Sequence, residues 1–340
     1  MTPTQAAATT SPPSAAAPSE QGSRARRGSR RGRGADLKLL AASPSALISS
    51  LWLVVLVLIA AVVPIFVTDA ANHQDLALRF LPPFSLDDGF AFVLGADSLG
   101  RPILLQLIVG ARTSLVVAAC TVAISAVVGF AIGVVSGFFG GWVDTVLMRL
   151  ADILHTVPSL LLALAVLYVL QPSITNLVLV LAVTRIPVYL RTARAQTLEL
   201  RERVFVESSR SIGASSWRIM AKDITPMVTP TVRTLAMLEV ANVILAAASL
   251  SFLGIGLQRP DVDWGMMVAD GRSYLNVAWW VTVFPGLAIV ATALAANLLS
   301  NWLRAIEDPT QRGFFVKPAR RTRVSRRASD RPAIEKGTRS

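Results

Sequence analysis

The sequence predicts an all-α integral membrane protein that crosses the bilayer six times. Of its 340 residues 53% are hydrophobic and only 16% are charged, and the mean hydropathy is +0.55. Soluble domains average about 25% charged residues, so this composition indicates a membrane protein. The uncharged stretches are also long enough to cross the bilayer, because about 20 helical residues span roughly 30 Å of hydrocarbon.

Four uncharged stretches of 30 to 32 residues predict most of the spans. They cover residues 39–68, 113–143, 153–184 and 273–303. The third stretch is interrupted at 171–176 by Gln-Pro-Ser-Ile-Thr-Asn, a turn-forming polar sequence, so we predict two spans there. A further apolar stretch at 227–254 contains Arg233 and Glu239 and completes the six.

The distribution of basic residues predicts that both termini are cytoplasmic, because Lys and Arg accumulate on that side of a membrane protein. Of the 33 basic residues, 26 fall in the terminal segments and loops on one side, and four fall on the other. Residues 1–40 and 311–340 are rich in Arg and poor in apolar residues, so we expect disordered basic cytoplasmic segments that favour anionic lipid. We interpret their arginines as orientation signals and not as a nucleic-acid-binding arm.

Between these segments we expect two regions. Residues 41–110 contain the first transmembrane helix and an external loop, and residues 111–310 form the main transmembrane domain. The predicted location is the cytoplasmic membrane.

Several kinds of chemistry are excluded by the composition. None of the four lysines follows a glycine, so the chain has no Walker A loop for binding a nucleotide. One cysteine and two histidines exclude a disulfide framework, a thiolate cluster and a His-rich metal site within the chain. These absences exclude a Walker A ATPase and most metalloenzyme and thiol chemistry, and we predict no cofactor and no metal site.

The longest cytoplasmic loop, residues 191–226, has the sequence pattern of a folded element. Helical spacing continues to Val206, Gly213 permits a turn, and Ala-Ser-Ser at 214–216 provides an N-cap for a second short helix. Pro226 then marks the start of the next span. A rigid, exposed segment of this kind suits contact with a soluble partner.

Seven residues of this loop carry a resemblance to a known family. They are Glu207, Ser208, Ser209, Gly213, Ala214, Ile224 and Pro226. Their arrangement resembles the EAA loop in the permease subunits of bacterial ABC importers, where a short coupling helix docks onto the ATPase. The two serines replace the usual alanines. The resemblance implies that these seven residues couple the chain to an ATPase.

Six further stretches resemble the second permease of the dipeptide, oligopeptide and nickel branch of that family. They are 94–101, 136–144, 250–256, Trp264-Gly265, Asp270-Gly271 and Asp308-Pro309, in the expected order around six spans. This resemblance extends over roughly residues 40 to 312. It implies a type I ABC importer fold, a second homologous permease, two ATP-binding cassette ATPase subunits and an extracytoplasmic substrate-binding protein. The implied function is peptide import by alternating access, with this chain as a non-catalytic subunit and ATP hydrolysis carried out by the partner subunits.

Glu239 is a candidate residue of the translocation path. It lies about 18 Å along the fifth span at 1.5 Å per residue, near mid-membrane, where an unpaired carboxylate is costly. One interpretation places Glu239 on the path, where it meets a cationic group of the substrate. The other is a carboxylate satisfied by a polar group inside the bundle.

Two other classes of function are alternatives to the importer permease. A proton-coupled secondary transporter needs intramembrane carboxylates and often has an internal repeat, whereas this sequence has one clear mid-span carboxylate and no repeat. A structural or assembly membrane protein is the third class. The sequence leaves the substrate open among dipeptides, longer peptides, glutathione-like compounds and nickel chelates.

Overall fold

A computed structural model describes residues 43–85 and 87–307, and these residues form helices and connecting turns without a β-strand. The terminal segments 1–40 and 311–340, predicted to be disordered, and the Asp308-Pro309 motif lie outside the described residues. Five described helices are long and apolar enough to cross a membrane. The number becomes six when a bent pair of shorter helices is counted as one span.

The helices follow one another with mostly short connections. They are α1 (Pro44–Val62), α2 (Pro64–Asn72), α3 (Ile103–Phe139), α4 (Gly141–Thr156), α5 (Ser159–Val169), α6 (Ile174–Arg201), α7 (Val204–Ser211), α8 (Ser216–Ile219), α9 (Thr225–Phe252), α10 (Trp264–Gly271) and α11 (Trp280–Glu307). A π-helical turn, Met220–Ile224, joins α8 to α9, so the two form one continuous helical stretch.

The third span differs from the single helix that the sequence predicted. Helices α4 and α5 meet at an angle of 84°. The break lies at Val157, whose backbone is extended, as is usual for the residue before a proline. Helix α5 alone has 11 residues, too few to cross about 30 Å of hydrocarbon. The chain also breaks at the predicted polar sequence, where Ser173 caps α6 by accepting a hydrogen bond from the Asn176 amide.

Helix α3 runs through the bundle and packs closely along α6. A Cβ atom added at Gly129, Gly133 or Gly137 would lie 2.5 to 2.8 Å from atoms of α6, so only glycine permits this approach. Small residues at four-residue spacing are typical of close helix contacts in membranes. This glycine face therefore packs within the chain. Gly140, with φ +66°, ends α3 and turns the chain into α4.

Buried apolar side chains form a cluster at the end of the bundle that contains α7 and α8. We call this cluster the inner core; it contains Val134, Phe138, Tyr189, Ala193, Val206, Ile219, Met220, Ile224, Val228 and Val232. These residues come from α3, α6, α7, α8, the π-helical turn and α9. A larger cluster occupies the other half of the bundle and includes Leu167, Leu250 and Trp264.

Candidate functional site

Residues 202–224, which we call the connecting segment, join α6 to α9 and contain two short helices. Helix α6 continues to Arg201, so the first part of the predicted loop 191–226 is an extension of the fourth-span helix. Helix α7 follows after a break at residues 202–203, and α8 begins after a turn at Gly213. The predicted order of helix, glycine turn and second short helix is therefore present.

Gly213 adopts a positive φ of +81°, which favours glycine over residues that carry a Cβ atom. Its amide donates a hydrogen bond to the Arg210 carbonyl at 2.9 Å, and the Ala214 amide donates to the Ser209 carbonyl at 3.0 Å. Ser215 caps α8, although its hydroxyl makes no capping hydrogen bond. No atom lies within 4 Å of a Cβ placed at Gly213, so the turn has open space in front of it.

The seven predicted site residues form an exposed group and an internal group. The exposed residues are Glu207, Ser208, Gly213 and Pro226. In the internal group, the Ser209 hydroxyl donates to Asp223 Oδ2 at 3.3 Å and so ties α7 to the π-helical turn. Ala214 packs against the inner core, and Ile224 is fully buried within it. The first group is available to a partner, and the second maintains the shape of the segment.

Two exposed apolar side chains flank the glycine turn and were not predicted as site residues. Ile212 is 85% exposed and Trp217 is 64% exposed. The Trp217 ring also meets the Phe139 ring edge-on, with 5.8 Å between centroids, which anchors α8 to the end of α3. Large apolar residues beside a glycine in a charged loop are the signal that could have identified them, because exposed apolar groups often mark interaction sites.

The connecting segment is continuous with the transmembrane helices through the inner core. Val206, Ile219 and Ile224 pack in the same buried cluster as Tyr189, which lies near the middle of α6. A hydrogen bond of 2.7 Å from Gln196 Nε2 to Thr231 Oγ1 also joins α6 to α9. A displacement of the segment would therefore move these helices with it, because close-packed interiors transmit strain.

An ion pair ties α4 to α6 near the same end of the bundle. Arg194 Nη2 lies 2.6 Å from Asp144 Oδ2, and Arg194 Nε donates to the other carboxylate oxygen. Ser136 of α3 also donates to Asp144, so three helices meet at one carboxylate. Bidentate pairs of this kind fix geometry as well as charge.

Glu239 lies in α9, is 4% exposed and faces Arg185 of α6. Arg185 Nη1 is 3.6 Å from Glu239 Oε2, and Asn242 Nδ2 donates to Glu239 Oε1 at 3.0 Å. Glu239 Oε1 thus has a hydrogen-bond donor, whereas Oε2 has the ion-pair contact and no hydrogen-bond donor among the described residues. These contacts favour a partner inside the bundle, and a role on the translocation path stays a prediction. Arg185 was not predicted as the partner of Glu239. A residue of opposite charge at a similar depth in a neighbouring span is the sequence signal that could have identified it.

A network of charged and polar side chains lies at the end of the bundle opposite the connecting segment. Asp97 Oδ2 accepts hydrogen bonds from Arg101 Nε at 2.7 Å and from Gln106 Nε2 at 3.0 Å. Arg259 Nη2 lies 3.4 Å from Gln106 Oε1 and donates to Asp270 Oδ2 at 2.9 Å. The structure thus brings together two of the stretches that carried the family resemblance.

Asp263 is 2% exposed and is the N-cap residue of α10. It accepts hydrogen bonds from the Ser251 hydroxyl at 2.7 Å and from the Met266 amide at 2.8 Å. Burial raises the pKa of the Asp263 carboxyl above its usual value, while these hydrogen bonds oppose that rise. Within residues 43–85 and 87–307, no group of three or more His, Cys, Asp or Glu residues is placed to hold a metal ion.

Sequence comparisons place these features in a family. The family described as "Binding-protein-dependent transport system inner membrane component" matches residues 129–313. The probable D,D-dipeptide transport system permease protein DdpC of Escherichia coli K12 is 36% identical over 275 residues, which cover 81% of this chain and 91% of DdpC. The glutathione transport system permease protein GsiD of Escherichia coli O6:K15:H31 is 42% identical over 219 residues, which cover 64% of this chain and 72% of GsiD.

A solved structure supports the same fold. A chain of the MetNI methionine ABC transporter, in inward-facing conformations, matches with a TM-score of 0.50 at 17% identity, covering 60% of this chain and 98% of that chain. The predicted type I importer fold and the predicted permease function are confirmed, and the proton-coupled alternative is not favoured. The chain belongs to the binding-protein-dependent inner membrane permease family and is a non-catalytic, multi-pass subunit of an ABC importer.

Proposed function

We propose that this chain imports small peptides as one half of a permease pair. The names of DdpC and GsiD refer to D,D-dipeptide and glutathione transport, and both kinds of substrate are short peptides. The second half is a homologous permease, two ATPase subunits bind the cytoplasmic face, and an extracytoplasmic binding protein delivers the substrate. Both termini of the chain are cytoplasmic in this assembly.

The observation that carries the proposal is the exposed face of the connecting segment. Glu207, Ile212 and Trp217 are exposed around an open turn at Gly213, while the other side of the segment is held in the inner core. Apolar groups beside a carboxylate suit a groove on a soluble ATPase, because buried apolar anchors with a polar rim are typical of protein interfaces.

Transport then follows from the packing. ATP closes the ATPase dimer and brings the two connecting segments of the permease pair together. Because the segment shares the inner core with α3, α6 and α9, it moves these helices as a unit and opens the pathway outward. Substrate from the binding protein enters, and ATP hydrolysis returns the bundle to the inward-facing state.

The proposal is tested by Gly213→Asp in the co-expressed importer. Aspartate tolerates a positive φ better than most residues, and the chain itself leaves room for it, so the variant should insert and remain folded. We expect ATPase co-purification and uptake to fall sharply, because the added carboxylate projects into the docking surface. Glu207→Ala should act in the same direction but more mildly, since it removes one polar contact and keeps the shape.

Gly254→Asp is the matched control. Gly254 has φ +82° and no atom within 4 Å of an added Cβ, so the backbone strain equals that at Gly213, but the residue follows α9 at the opposite end of the bundle. This control should retain the ATPase. Normal ATPase retention and uptake by Gly213→Asp would remove the main support for the proposal.

A role for Glu239 on the translocation path is the second part of the proposal. Its carboxylate is engaged by Arg185 at 3.6 Å, so a cationic group of a passing peptide would replace Arg185 as its partner. Glu239→Gln should then reduce uptake of cationic peptides more than uptake of neutral ones. Equal reductions for both would assign Glu239 to bundle stability alone.

A further inference from the structure

Arg233 is an exposed arginine on the spanning helix α9, and within the described part of the chain it has no hydrogen-bond or ion-pair partner. A guanidinium remains charged in proteins, and an isolated charge in a membrane span is costly. The described residues therefore supply no counterion to Arg233, and its guanidinium is available to an anionic group.

The side chain lines an apolar groove between α3 and α9 with a volume of about 160 Å³. The lining residues are Ala126, Val127, Phe130, Thr229, Val232, Arg233 and Ala236. Arg233 is the one charged residue among them. The groove thus combines a cationic group with apolar walls.

The position of the groove along the membrane normal follows from residue counts on two different helices. At 1.5 Å per residue, about 30 Å of hydrocarbon corresponds to about 20 residues. Counted from Arg112 near the external end of α3, this distance ends close to Phe130. Counted from Phe252 at the end of α9, it ends close to Arg233. With cytoplasmic termini, both counts place the groove at the inner boundary of the hydrocarbon.

We propose that this groove binds one anionic phospholipid of the inner leaflet. The phosphate pairs with Arg233, and part of an acyl chain lies along Ala126, Phe130 and Ala236. Basic pockets between transmembrane helices on the cytoplasmic side are typical sites for anionic headgroups. The apolar walls favour a lipid over a free phosphate ion, and the positive charge favours an anionic lipid over a zwitterionic one.

The test uses the full chain purified with its partner subunits and examined by native mass spectrometry. Phosphatidylglycerol and phosphatidylcholine with identical acyl chains are added at equal concentration, and the lipid retained on this chain is measured. We expect about fivefold preferential retention of phosphatidylglycerol, which corresponds to the roughly 1 kcal/mol contributed by one basic residue at an anionic surface. Arg233→Gln should abolish the preference and leave retention of phosphatidylcholine unchanged.

Two further variants distinguish the effect of the Arg233 charge from the effect of the groove's shape. Arg112→Gln removes another exposed arginine, one that does not line the groove, and it should leave the preference intact. Ala236→Leu keeps Arg233 but narrows the groove, and it should reduce retention of both lipids.

Three results would contradict the proposal of a lipid site. Equal losses from Arg112→Gln and Arg233→Gln would indicate unspecific attraction to the protein. Displacement of phosphatidylglycerol by millimolar inorganic phosphate would indicate a free-ion site. Unchanged lipid retention by Arg233→Gln, together with loss of the partner permease, would assign Arg233 to a carboxylate of that subunit. The readout is lipid retention and not uptake, so failure here leaves the importer proposal intact.

Discussion

The two ends of the helix bundle differ in whether their polar and apolar groups are satisfied within the chain or left exposed. At one end, Asp97 and Arg101 are almost fully buried and their charges are satisfied by each other, while neighbouring hydrogen bonds extend to Asp270. At the other end, the connecting segment leaves Glu207 and Ile212 exposed although its inner side is buried. Groups satisfied within a chain contribute to its stability, whereas exposed groups are available for binding a partner.

This difference predicts that substitutions at the two ends separate stability from partner affinity. Variants of the buried network should unfold at lower temperature without changing the ATPase affinity of the molecules that fold. Variants of the exposed face should show the reverse. The first and the last of the three predictions that follow test this separation, and the second concerns the ion pair that lies between the two ends.

The largest effect is expected for Arg101→Ala. This change leaves the Asp97 carboxylate buried without its ionic partner, and breaking a buried pair in this way costs about 3 to 5 kcal/mol. Thermal unfolding of the purified complex measures the loss. Arg79→Ala is the control, because Arg79 is exposed on the same side of the bundle and its guanidinium lies over the face of the Phe80 ring. Similar unfolding temperatures for the two variants would contradict the buried-network interpretation.

An intermediate effect is expected for the pair between the two ends, Arg185 and Glu239. Each single glutamine substitution leaves one charge without its partner, whereas the double substitution leaves two neutral amides that can hydrogen-bond. We expect a coupling energy of roughly 1 to 3 kcal/mol in a double-mutant cycle of unfolding free energies. Additive single effects would show that the 3.6 Å approach contributes nothing to stability.

The smallest effect on stability is expected for Ile212→Ala. The side chain is 85% exposed, so its truncation should change the unfolding free energy by less than about 0.5 kcal/mol. Loss of an apolar anchor should nevertheless weaken ATPase binding by at least about 1 kcal/mol, or about fivefold in Kd. The measurement is ATPase affinity in nanodiscs, with Val204→Ala as an exposed control on the first turn of α7. An equal loss from both variants would mean that the contact is not centred on the glycine turn.

Features that depend on local sequence were predictable. The length of apolar stretches identified the spans, and Gly213 and Pro226 marked a turn and a helix start, because positive φ and a missing amide hydrogen restrict which residues fit. The resemblance to the EAA loop located the connecting segment between α6 and α9.

Features that depend on packing between distant residues were not predictable. The 84° angle between α4 and α5 is one of them, because Pro158 indicates a break after Val157 but does not determine the direction in which α5 continues. Hydrophobic length indicates how much chain can cross a bilayer, but not whether that chain runs straight. The pairing of Arg185 with Glu239 likewise requires knowing that α6 and α9 are adjacent.

The glycine contact between α3 and α6 has a consequence for biosynthesis. Gly133 fits against Leu190, but the second and fourth spans leave the ribosome at different times, with the whole of α4 and α5 made between them. Helix α3 must therefore enter the bilayer with its glycine face against lipid and find its partner later. We expect the α3–α6 contact to form only after α6 has been made, and a polypeptide that ends before α6 would leave the glycine face of α3 without its packing partner.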